Sequence, residues 1–317
     1  MLTVAEESRE ARASRAPRPP TRNATTRGRR SGRRVEPYLY IAPTVVLIGL
    51  LLVVPIATVI GYSLFDNVIS NPDPRFVGLA HFADLLADPR FYTSIRNTLV
   101  FTATSVAAHL VLGLAFALLL NSPLLGRASI AVYRTIYVLP WLFTVAIVAV
   151  LWRLLLNPNG VVNHLLSFLG AGQIEWLGDP SLALGAVTFV NIWAGYPFFM
   201  VSLLAGLQGI PSELYEAARV DGAGPWQRFA AVTLPQLRPI IVSMSLLDLI
   251  WTSQQFALIW MTTGGGPVDA TELVSTFTYK LAFTRYEFGA ASASAVIVLA
   301  LSMVLAVFYV RHQRRKD

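Results

Sequence analysis

The sequence predicts an all-α, polytopic membrane protein with six transmembrane helices. Of its 317 residues, 55% are hydrophobic and only 14% are charged, whereas a typical soluble domain is about a quarter charged. Six regularly spaced apolar runs account for the difference, since a helix needs roughly 20 apolar residues to cross a bilayer. A buried core helix could explain one such run but not six. The predicted spans are 38–65, 98–120, 136–155, 182–207, 240–262 and 288–310.

The basic residues predict the orientation of these spans. Lys and Arg collect in the cytoplasmic segments of membrane proteins. Residues 1–37 hold ten arginines against four glutamates, and a cytoplasmic N-terminus would place 19 of the 25 basic residues inside. We therefore expect a plasma-membrane protein with both termini cytoplasmic. Most of the net charge of +7 lies in this tail, so it indicates topology rather than nucleic-acid binding.

The domain organisation follows from the same pattern. Residues 1–37 are predicted to form a disordered basic tail, because they are rich in Arg, Pro, Ser and Thr. This tail is either solvated or in contact with anionic membrane lipids. A six-span membrane domain occupies 38–310, and 311–317 forms a short cytoplasmic tail.

Several chemistries are excluded by residues that the sequence lacks. It has no cysteine, and therefore no disulfide and no thiolate nucleophile. No G-x-x-x-x-G-K-[ST] phosphate-binding loop is present. The four histidines are scattered, and we interpret His109, inside the second span, as a packing residue rather than a ligand. The expected result is a chain that is not an enzyme and that holds no metal or other cofactor.

The connections between the spans differ in character. The outer connection 66–97 is predicted to carry a short amphipathic helix at the membrane interface. The outer connection 156–181 contains a Pro-Asn-Gly turn and a second amphipathic piece, and 263–287 opens with the flexible turn TTGGGP. The only sizeable cytoplasmic feature is the connection 208–238 between spans four and five.

The sequence of this cytoplasmic connection predicts a helical hairpin. Pro211 and Ser212 supply a helix start, and about two helical turns follow. Glycines and Pro225 then break the chain, and a second short helix over 225–232 is predicted to run to Leu234-Pro235. The pattern alone leaves two interpretations open. The hairpin is either a connector that packs on its own spans or a knob that enters a groove in another protein.

A longer spaced pattern within the hairpin resembles a known family. Glu216-Ala217-Ala218 is followed at fixed spacings by Gly222, Val232 and Leu234-Pro235. This arrangement resembles the coupling loop of the permease subunits of binding-protein-dependent ABC importers. The resemblance implies that the hairpin is a coupling helix seated in a cleft of a separate ATPase subunit. The coupling residues that it implies are Glu216, Ala217, Ala218, Asp221 and Gly222.

The same resemblance implies the partners of the chain. They are a second homologous permease subunit, two copies of an ATP-binding subunit and an extracytoplasmic sugar-binding protein. ATP hydrolysis would then belong to a partner, and Glu216 would pair with a basic residue of the ATPase.

A narrower resemblance covers residues 75–310. The stretches "VLPWLF", "WLGDPS", "VNIWAGYPFFM", "TTGGGP" and "EFGAASA" are similar to the carbohydrate-uptake branch of this family, and most of all to its maltose-type sugar-holding subunits. The chain departs from those subunits in lacking extra N-terminal spans and a large outer domain. The resemblance implies import of a neutral disaccharide or oligosaccharide, such as trehalose or a maltose-type glucoside, by alternating access.

The fifth predicted span carries a polar stripe. Asp248, Trp251, Thr252 and Gln255 recur at helical spacing and would share one helix face. An aromatic plane beside hydrogen-bonding groups suits a sugar, whose ring faces stack and whose hydroxyls need partners. The alternative is that these polar groups only hold helices together. The family resemblance adds four further substrate-binding candidates, Trp141, Asn191, Gly195 and Phe198.

The charges in the spans favour a neutral substrate. A phosphorylated or carboxylated substrate should meet Arg or Lys, but the spans offer only Arg153, and the stripe carries an acid. The rival interpretation is a self-sufficient secondary transporter that uses Asp248 as a proton or ion site. An inverted repeat with broken helices would distinguish it, and the coupling hairpin would then have no role. A scaffold or sensor is disfavoured because no folded soluble domain is predicted.

Overall fold

The computed structural model describes residues 36–314, apart from residue 70 and residues 123–125. These residues are helical except for their loops and one isolated antiparallel bridge between Phe65 and Phe76, so the all-α prediction is confirmed. The predicted N-terminal tail lies outside the described residues as far as residue 35. The α-helices are α1 Glu36–Ile48, α2 Val54–Tyr62, α3 Ala80–Ala87, α4 Pro89–Leu120, α5 Arg127–Leu142, α6 Val145–Leu155, α7 Val161–Ser167, α8 Ala183–Gln208, α9 Ser212–Val220, α10 Pro225–Arg228, α11 Leu234–Ser253, α12 Ala257–Thr262, α13 Val274–Phe283 and α14 Phe288–Arg314.

The chain divides into two compact units, Met1–Ile56 and Ala57–Asp317. The described part of the first unit is α1, the π-helical segment Gly49–Val53 and the start of α2. Its apolar side chains are exposed, as suits a helix whose surroundings are lipid or another apolar surface. The second unit contains the remaining helices and the cavity described below.

Four helices of the described chain are long and apolar enough to cross a membrane, and a bent helix pair supplies a fifth candidate span. The sixth predicted span coincides with α14, whose apolar part, Phe288–Val304, is shorter. Because α14 runs to Arg314, the predicted C-terminal tail begins as helix. The four long helices are Tyr38–Tyr62, Pro89–Leu120, Ala183–Gln208 and Pro225–Ser253.

The third predicted span, 136–155, is not one straight helix. The chain bends by 97° between α5 and α6. Phe143 and Thr144 are extended at the bend, and the Thr144 hydroxyl accepts a hydrogen bond from the backbone N–H of Ile147. Thr144 is therefore the N-cap of α6. Helix α5 ends before it, and α6 starts from it in a new direction.

The fifth predicted span, 240–262, is also broken. Helix α11 ends at Ser253, and α12 begins at Ala257. The carbonyl oxygen of Gln255, inside the break, accepts a hydrogen bond from the Ser275 hydroxyl at 2.7 Å. Irregular backbone at membrane depth is tolerated where protein covers it or where it lines a cavity. Both breaks meet this condition, because they adjoin the same cavity.

Two π-helical segments accommodate prolines inside long helices. Gly49–Val53 ends two residues before Pro55, and Phe229–Thr233 ends two residues before Pro235. A proline clashes with the carbonyl group four residues earlier, and in each case that carbonyl lies in the π segment, whose wider turn makes room for the ring. The predicted second hairpin helix therefore does not stop at Leu234-Pro235, and Pro225–Ser253 is one continuous helical stretch.

The largest helix contact is between α4 and α8, with α11 packed on both. Glycines permit the close approach. A Cβ at Gly113 would meet Phe199, and a Cβ at Gly206 would meet Leu237 and Ile240. Small residues at membrane helix interfaces allow such backbone proximity. These three helices share a buried apolar cluster of Ala117, Leu120, Phe199, Met200, Leu203, Leu204, Leu207 and Leu237.

The connections that were expected outside are more ordered than predicted. The two short amphipathic helices are present as α3 and α7. The turn that begins TTGGGP is not flexible, because Thr271 and Glu272 are buried and the Asn97 side chain donates to three carbonyl oxygens of this segment. Helix α13, which was not predicted, follows the turn and packs on α14.

Candidate substrate cavity

One cavity of about 350 Å³ lies where the broken helices meet α4 and α8. Volumes of about 300–1,000 Å³ are usual for small-molecule sites. The α5–α6 bend forms one wall, α8 a second, and α11 with the break before α12 a third. Its lining comprises His109, Pro140, Trp141, Phe143, Thr144, Val145, Val148, Asn191, Ala194, Gly195, Asp248, Trp251, Thr252, Gln255 and Leu258.

The polar wall of the cavity joins three helices through a chain of hydrogen bonds. Asp248 on α11 accepts from the Thr252 hydroxyl at 3.0 Å, and its second oxygen lies 2.8 Å from His109 Nδ1 on α4. The other ring nitrogen, Nε2, lies 3.1 Å from the carbonyl oxygen of Asn191 on α8. All four residues are buried. The polar groups therefore do hold helices together, and they do so at the surface of a cavity.

The Asn191 side chain also faces this wall. Its Oδ1 accepts from Gln255 Nε2 at 3.4 Å, whereas its buried Nδ2 has no hydrogen-bond partner among the described residues. A buried amide donor without a partner is costly. The Gln255 amide, which is only half-buried and lines the cavity, is the more accessible of the two amides to a bound molecule.

Two tryptophan rings also line the cavity, and a third aromatic ring contacts both of them. Phe198 lies between Trp141 and Trp251, with ring centroids 5.9 and 5.8 Å away. Both tryptophans are more than half exposed, and both line the cavity. Flat apolar faces of this kind can stack against a ring-shaped ligand, while the polar wall supplies donors and acceptors.

Seven of the eight predicted substrate residues line the cavity. The eighth, Phe198, contacts the rings of the two tryptophans. The reason given for Gln255 was wrong. It lies beyond the end of α11 rather than on the helical face of Asp248, and the break turns it towards the cavity. Whether these residues bind a substrate stays a prediction.

Sequence reasoning missed the roles of His109 and of the α5–α6 bend. His109 was expected only to pack, yet it is the hydrogen-bonding partner of the one acid in the predicted spans. The signal was available, since a histidine and an aspartate inside spans are each costly alone. For the bend, the Leu-Pro pair before Trp141 and the capping ability of Thr144 were the available indications.

The cytoplasmic hairpin is a separate candidate site. Glu216 and Ala217 on α9 are exposed, Ala218 is half-buried, and Asp221 and Gly222 in the turn are exposed. Gly222 has a φ of +78° with open space around it, so conformation rather than crowding favours glycine there. No ion pair within the described residues involves Glu216.

The hairpin is fixed to the membrane domain at its base. The Tyr215 hydroxyl on α9 lies 2.9 Å from the Thr233 hydroxyl at the end of the second π segment. Large apolar side chains of the hairpin remain exposed, including Val220 and Trp226, which are 88% and 76% exposed. A fixed base with an exposed apolar and acidic face suits contact with another protein.

The family model described as "Binding-protein-dependent transport system inner membrane component" matches residues 109–317. The chain belongs to this family. The matched region includes every residue named above for the cavity and the hairpin, so both features of the permease lie within the part that the family shares.

Named relatives extend the similarity over most of the permease. The trehalose/maltose transport system permease protein MalF of Thermococcus litoralis is 36% identical, over 88% of this chain and 94% of its own length. The sulfoquinovosyl glycerol transport system permease protein SmoG of Agrobacterium fabrum is 34% identical, with coverage of 90% and 92%. The diacetylchitobiose uptake system permease protein NgcF of Streptomyces coelicolor is 31% identical, with coverage of 93% and 87%.

Solved structures share the fold. A chain of a bacterial ABC transporter involved in the import of the acidic polysaccharide alginate is 27% identical, with a TM-score of 0.77 over 90% of this chain and 96% of that chain. The same kind of transporter, in complex with a periplasmic protein bound to an alginate pentasaccharide, gives 26% identity and a TM-score of 0.78. The permease therefore has the ABC importer permease fold and is a multi-pass membrane protein.

Proposed function

We propose that the permease forms the sugar path of an ATP-driven importer. It takes a neutral disaccharide or oligosaccharide, such as trehalose or a maltose-type glucoside, from an extracytoplasmic binding protein and releases it into the cytoplasm by alternating access. The observation that carries this proposal is the cavity, which combines two exposed tryptophan faces with a buried polar wall in a chain of this family.

The charges of the cavity support a neutral substrate. Among the described lining residues there is no Arg or Lys, and the exposed Arg153 on α6 lies outside the lining. An anionic sugar, such as the alginate of the structural neighbour, would need cationic partners. Amide, hydroxyl and indole groups suit hydroxyls and ring faces instead. The relatives whose names include trehalose, maltose and diacetylchitobiose agree with this choice, whereas the relative named for sulfoquinovosyl glycerol carries the name of an anionic sugar.

The exposed hairpin supports a complex in which a separate subunit hydrolyses ATP. We infer that α9 and the following turn contact a separate ATP-binding subunit, with Glu216 paired to a basic residue of that subunit. Two such subunits, a second homologous permease and the binding protein complete the complex. ATP hydrolysis then belongs to the partners, and both termini of the permease face the cytoplasm.

The proposal is tested by reconstituting the whole complex in liposomes with ATP inside and the binding protein outside. Trehalose and maltose should stimulate both ATP hydrolysis and uptake, whereas an alginate oligosaccharide should stimulate neither. Dissipating the proton gradient with an uncoupler should leave uptake unchanged. Uptake that needs the gradient and not ATP would instead support the secondary transporter considered for Asp248.

The cavity itself is tested with Trp251. Trp251→Ala removes a stacking face and should raise the KM for uptake roughly 2- to 10-fold, because an aromatic contact contributes about 0.5–1.5 kcal/mol beyond its buried area. Trp251→Phe should recover most of the loss. Normal uptake by both variants would refute this cavity as the site while leaving the importer assignment intact.

A further inference from the structure

The His109 ring lies between two oxygen atoms. Nδ1 faces Asp248 Oδ2 at 2.8 Å, and Nε2 faces the backbone oxygen of Asn191 at 3.1 Å. The other Asp248 oxygen already accepts from the Thr252 hydroxyl. A neutral imidazole has one donor and one acceptor nitrogen, and an ionised carboxylate only accepts. A neutral ring beside an ionised Asp248 therefore cannot satisfy both contacts.

We propose that His109 and Asp248 together hold one proton more than a neutral imidazole and an ionised carboxylate would carry. If the proton is on the ring, both N–H groups donate to their oxygen partners. If it is on the carboxyl group, that O–H donates to Nδ1 while Nε2–H donates to Asn191. Both arrangements satisfy every contact, and both leave the pair with no net charge.

Because His109 and Asp248 are buried, the extra proton decides whether the cavity wall carries a net charge. His109 is 2% exposed and Asp248 is 7% exposed, and no other acidic or basic side chain occurs among the described residues of the cavity lining. An uncompensated buried carboxylate is strongly unfavourable. His109 thus acts as a positioning residue, because it keeps the wall uncharged and holds Asp248 in place without having to touch a substrate.

Neighbouring residues fit this role. Asn191 and Gly195 are one turn apart on α8, and a Cβ at Gly195 would collide with the His109 ring. The Phe199 ring, one turn further, has its centroid 6.0 Å from that of His109. The described groups that face the ring from α8 are thus a carbonyl, a glycine and an aromatic ring, and Asp248 is the titratable group that faces it from α11.

The proton count can be measured without any substrate. The chain has only four histidines, so nitrogen-15 NMR of a complex in which this subunit alone is labelled in histidine gives few signals, and His109→Gln identifies the relevant one. The proposal expects either a ring protonated at both nitrogens or a ring protonated only at Nε2 together with a protonated Asp248. The Asp248 state is read from its carboxyl carbon signal, assigned with Asp248→Asn. A ring protonated once beside an ionised Asp248 would overturn the proposal.

Transport supplies a second test, which rests on the proposed function. His109→Gln can still donate to the Asn191 carbonyl but leaves Asp248 without its partner. Trehalose or maltose uptake should fall more than about 10-fold, equal to about 1.4 kcal/mol, while capture by the binding protein stays normal. Adding Asp248→Asn removes the uncompensated charge and should restore uptake at least about threefold above His109→Gln alone.

The outcomes separate the two proposals. If His109 only fills space, the double variant should be no better than His109→Gln, and that result would refute the charge argument. The exposed His164→Gln serves as the matched control and should transport at the wild-type rate. A wild-type complex that transports no neutral sugar would count against the proposed function, whereas the NMR result would still decide the proton count.

Discussion

At the scale of single residues, the cavity depends on a few side chains whose neighbours in the sequence face elsewhere. Gln255 lines the cavity and reaches Asn191, whereas the adjacent Gln254 is exposed and reaches Ser302 on α14 at 3.4 Å. Two glutamines that are consecutive in the chain thus provide a site residue and a matched control, because both belong to the same irregular backbone between α11 and α12.

We expect Gln255→Leu to impair uptake, because it leaves the Asn191 oxygen and, if the proposed sugar binds here, its hydroxyls without a donor. A buried hydrogen bond that is left unmade costs about 1–3 kcal/mol, or roughly 5- to 150-fold in an equilibrium constant. Uptake by the reconstituted complex measures the effect. Gln254→Leu should change uptake by less than about twofold, and equal losses in the two variants would show that the break, rather than the cavity contact, is responsible.

Gly195 is expected to be intolerant of even one added carbon. Gly195→Ala puts a methyl group against the His109 ring, and overpacking of this kind costs about 1–3 kcal/mol. The thermal midpoint of the purified complex should fall. Gly185→Ala on the same helix meets open space and should leave the midpoint unchanged or slightly raised. A midpoint unaffected by Gly195→Ala would contradict the close α4–α8 contact.

At the scale of elements, helix α9 carries two exposed glutamates, of which only one is predicted to contact the ATP-binding subunit. Glu213 lies in the first turn and Glu216 in the second, and both are exposed. Only Glu216 belongs to the Glu-Ala-Ala pattern. Glu216→Lys should leave insertion intact but weaken association with the ATP-binding subunit and reduce transport, since it opposes like charges. Co-purification of the ATP-binding subunit measures the effect, with Glu213→Lys as the control. Wild-type assembly and transport by Glu216→Lys would refute the pairing.

The elements also show which features the sequence could predict. Helix α8 was placed to within one residue at each end, 182–207 against Ala183–Gln208, because its apolar composition marks its bounds, whereas α4 begins nine residues before the predicted span. The breaks after Leu142 and Ser253 were not predicted, because both lie inside apolar runs. They depend on contacts from elsewhere in the chain, such as the Ser275 hydroxyl that donates to the carbonyl oxygen of Gln255. Broken helices were expected only of a secondary transporter. Both breaks adjoin the cavity of a member of this family, so broken helices alone do not indicate a secondary transporter.

The cavity was predicted better than the backbone that forms it. The residues that line it were found partly from helical spacing and partly from family resemblance, and resemblance supplied Trp141 and Asn191, which lie far from the stripe in sequence. The His109–Asp248 pair was missed because the two residues are 139 positions apart. Only the packing of α4 against α11 brings them together, and no local pattern encodes that packing.

At the scale of the whole molecule, the orientation is expected to survive loss of the N-terminal tail. Deleting residues 2–34 removes ten arginines but leaves basic residues in every other predicted cytoplasmic segment, which should hold the topology. Accessibility labelling of a single cysteine added at the C-terminus should still report it inside, with some loss of expression. An outside C-terminus would show that the tail alone determines orientation.

The continuous helix from Pro225 to Ser253 connects the cytoplasmic hairpin directly to the cavity. The hairpin is fixed to it at Thr233, and Asp248 lies near its far end, about 35 Å from Pro225 at about 1.5 Å per residue. A tilt of one degree about the cavity end would displace the hairpin end by about 0.6 Å over this length. A movement of a few ångströms imposed at the hairpin thus requires a tilt of only several degrees, and Asp248 and Thr252 of the polar wall would tilt with the same helix.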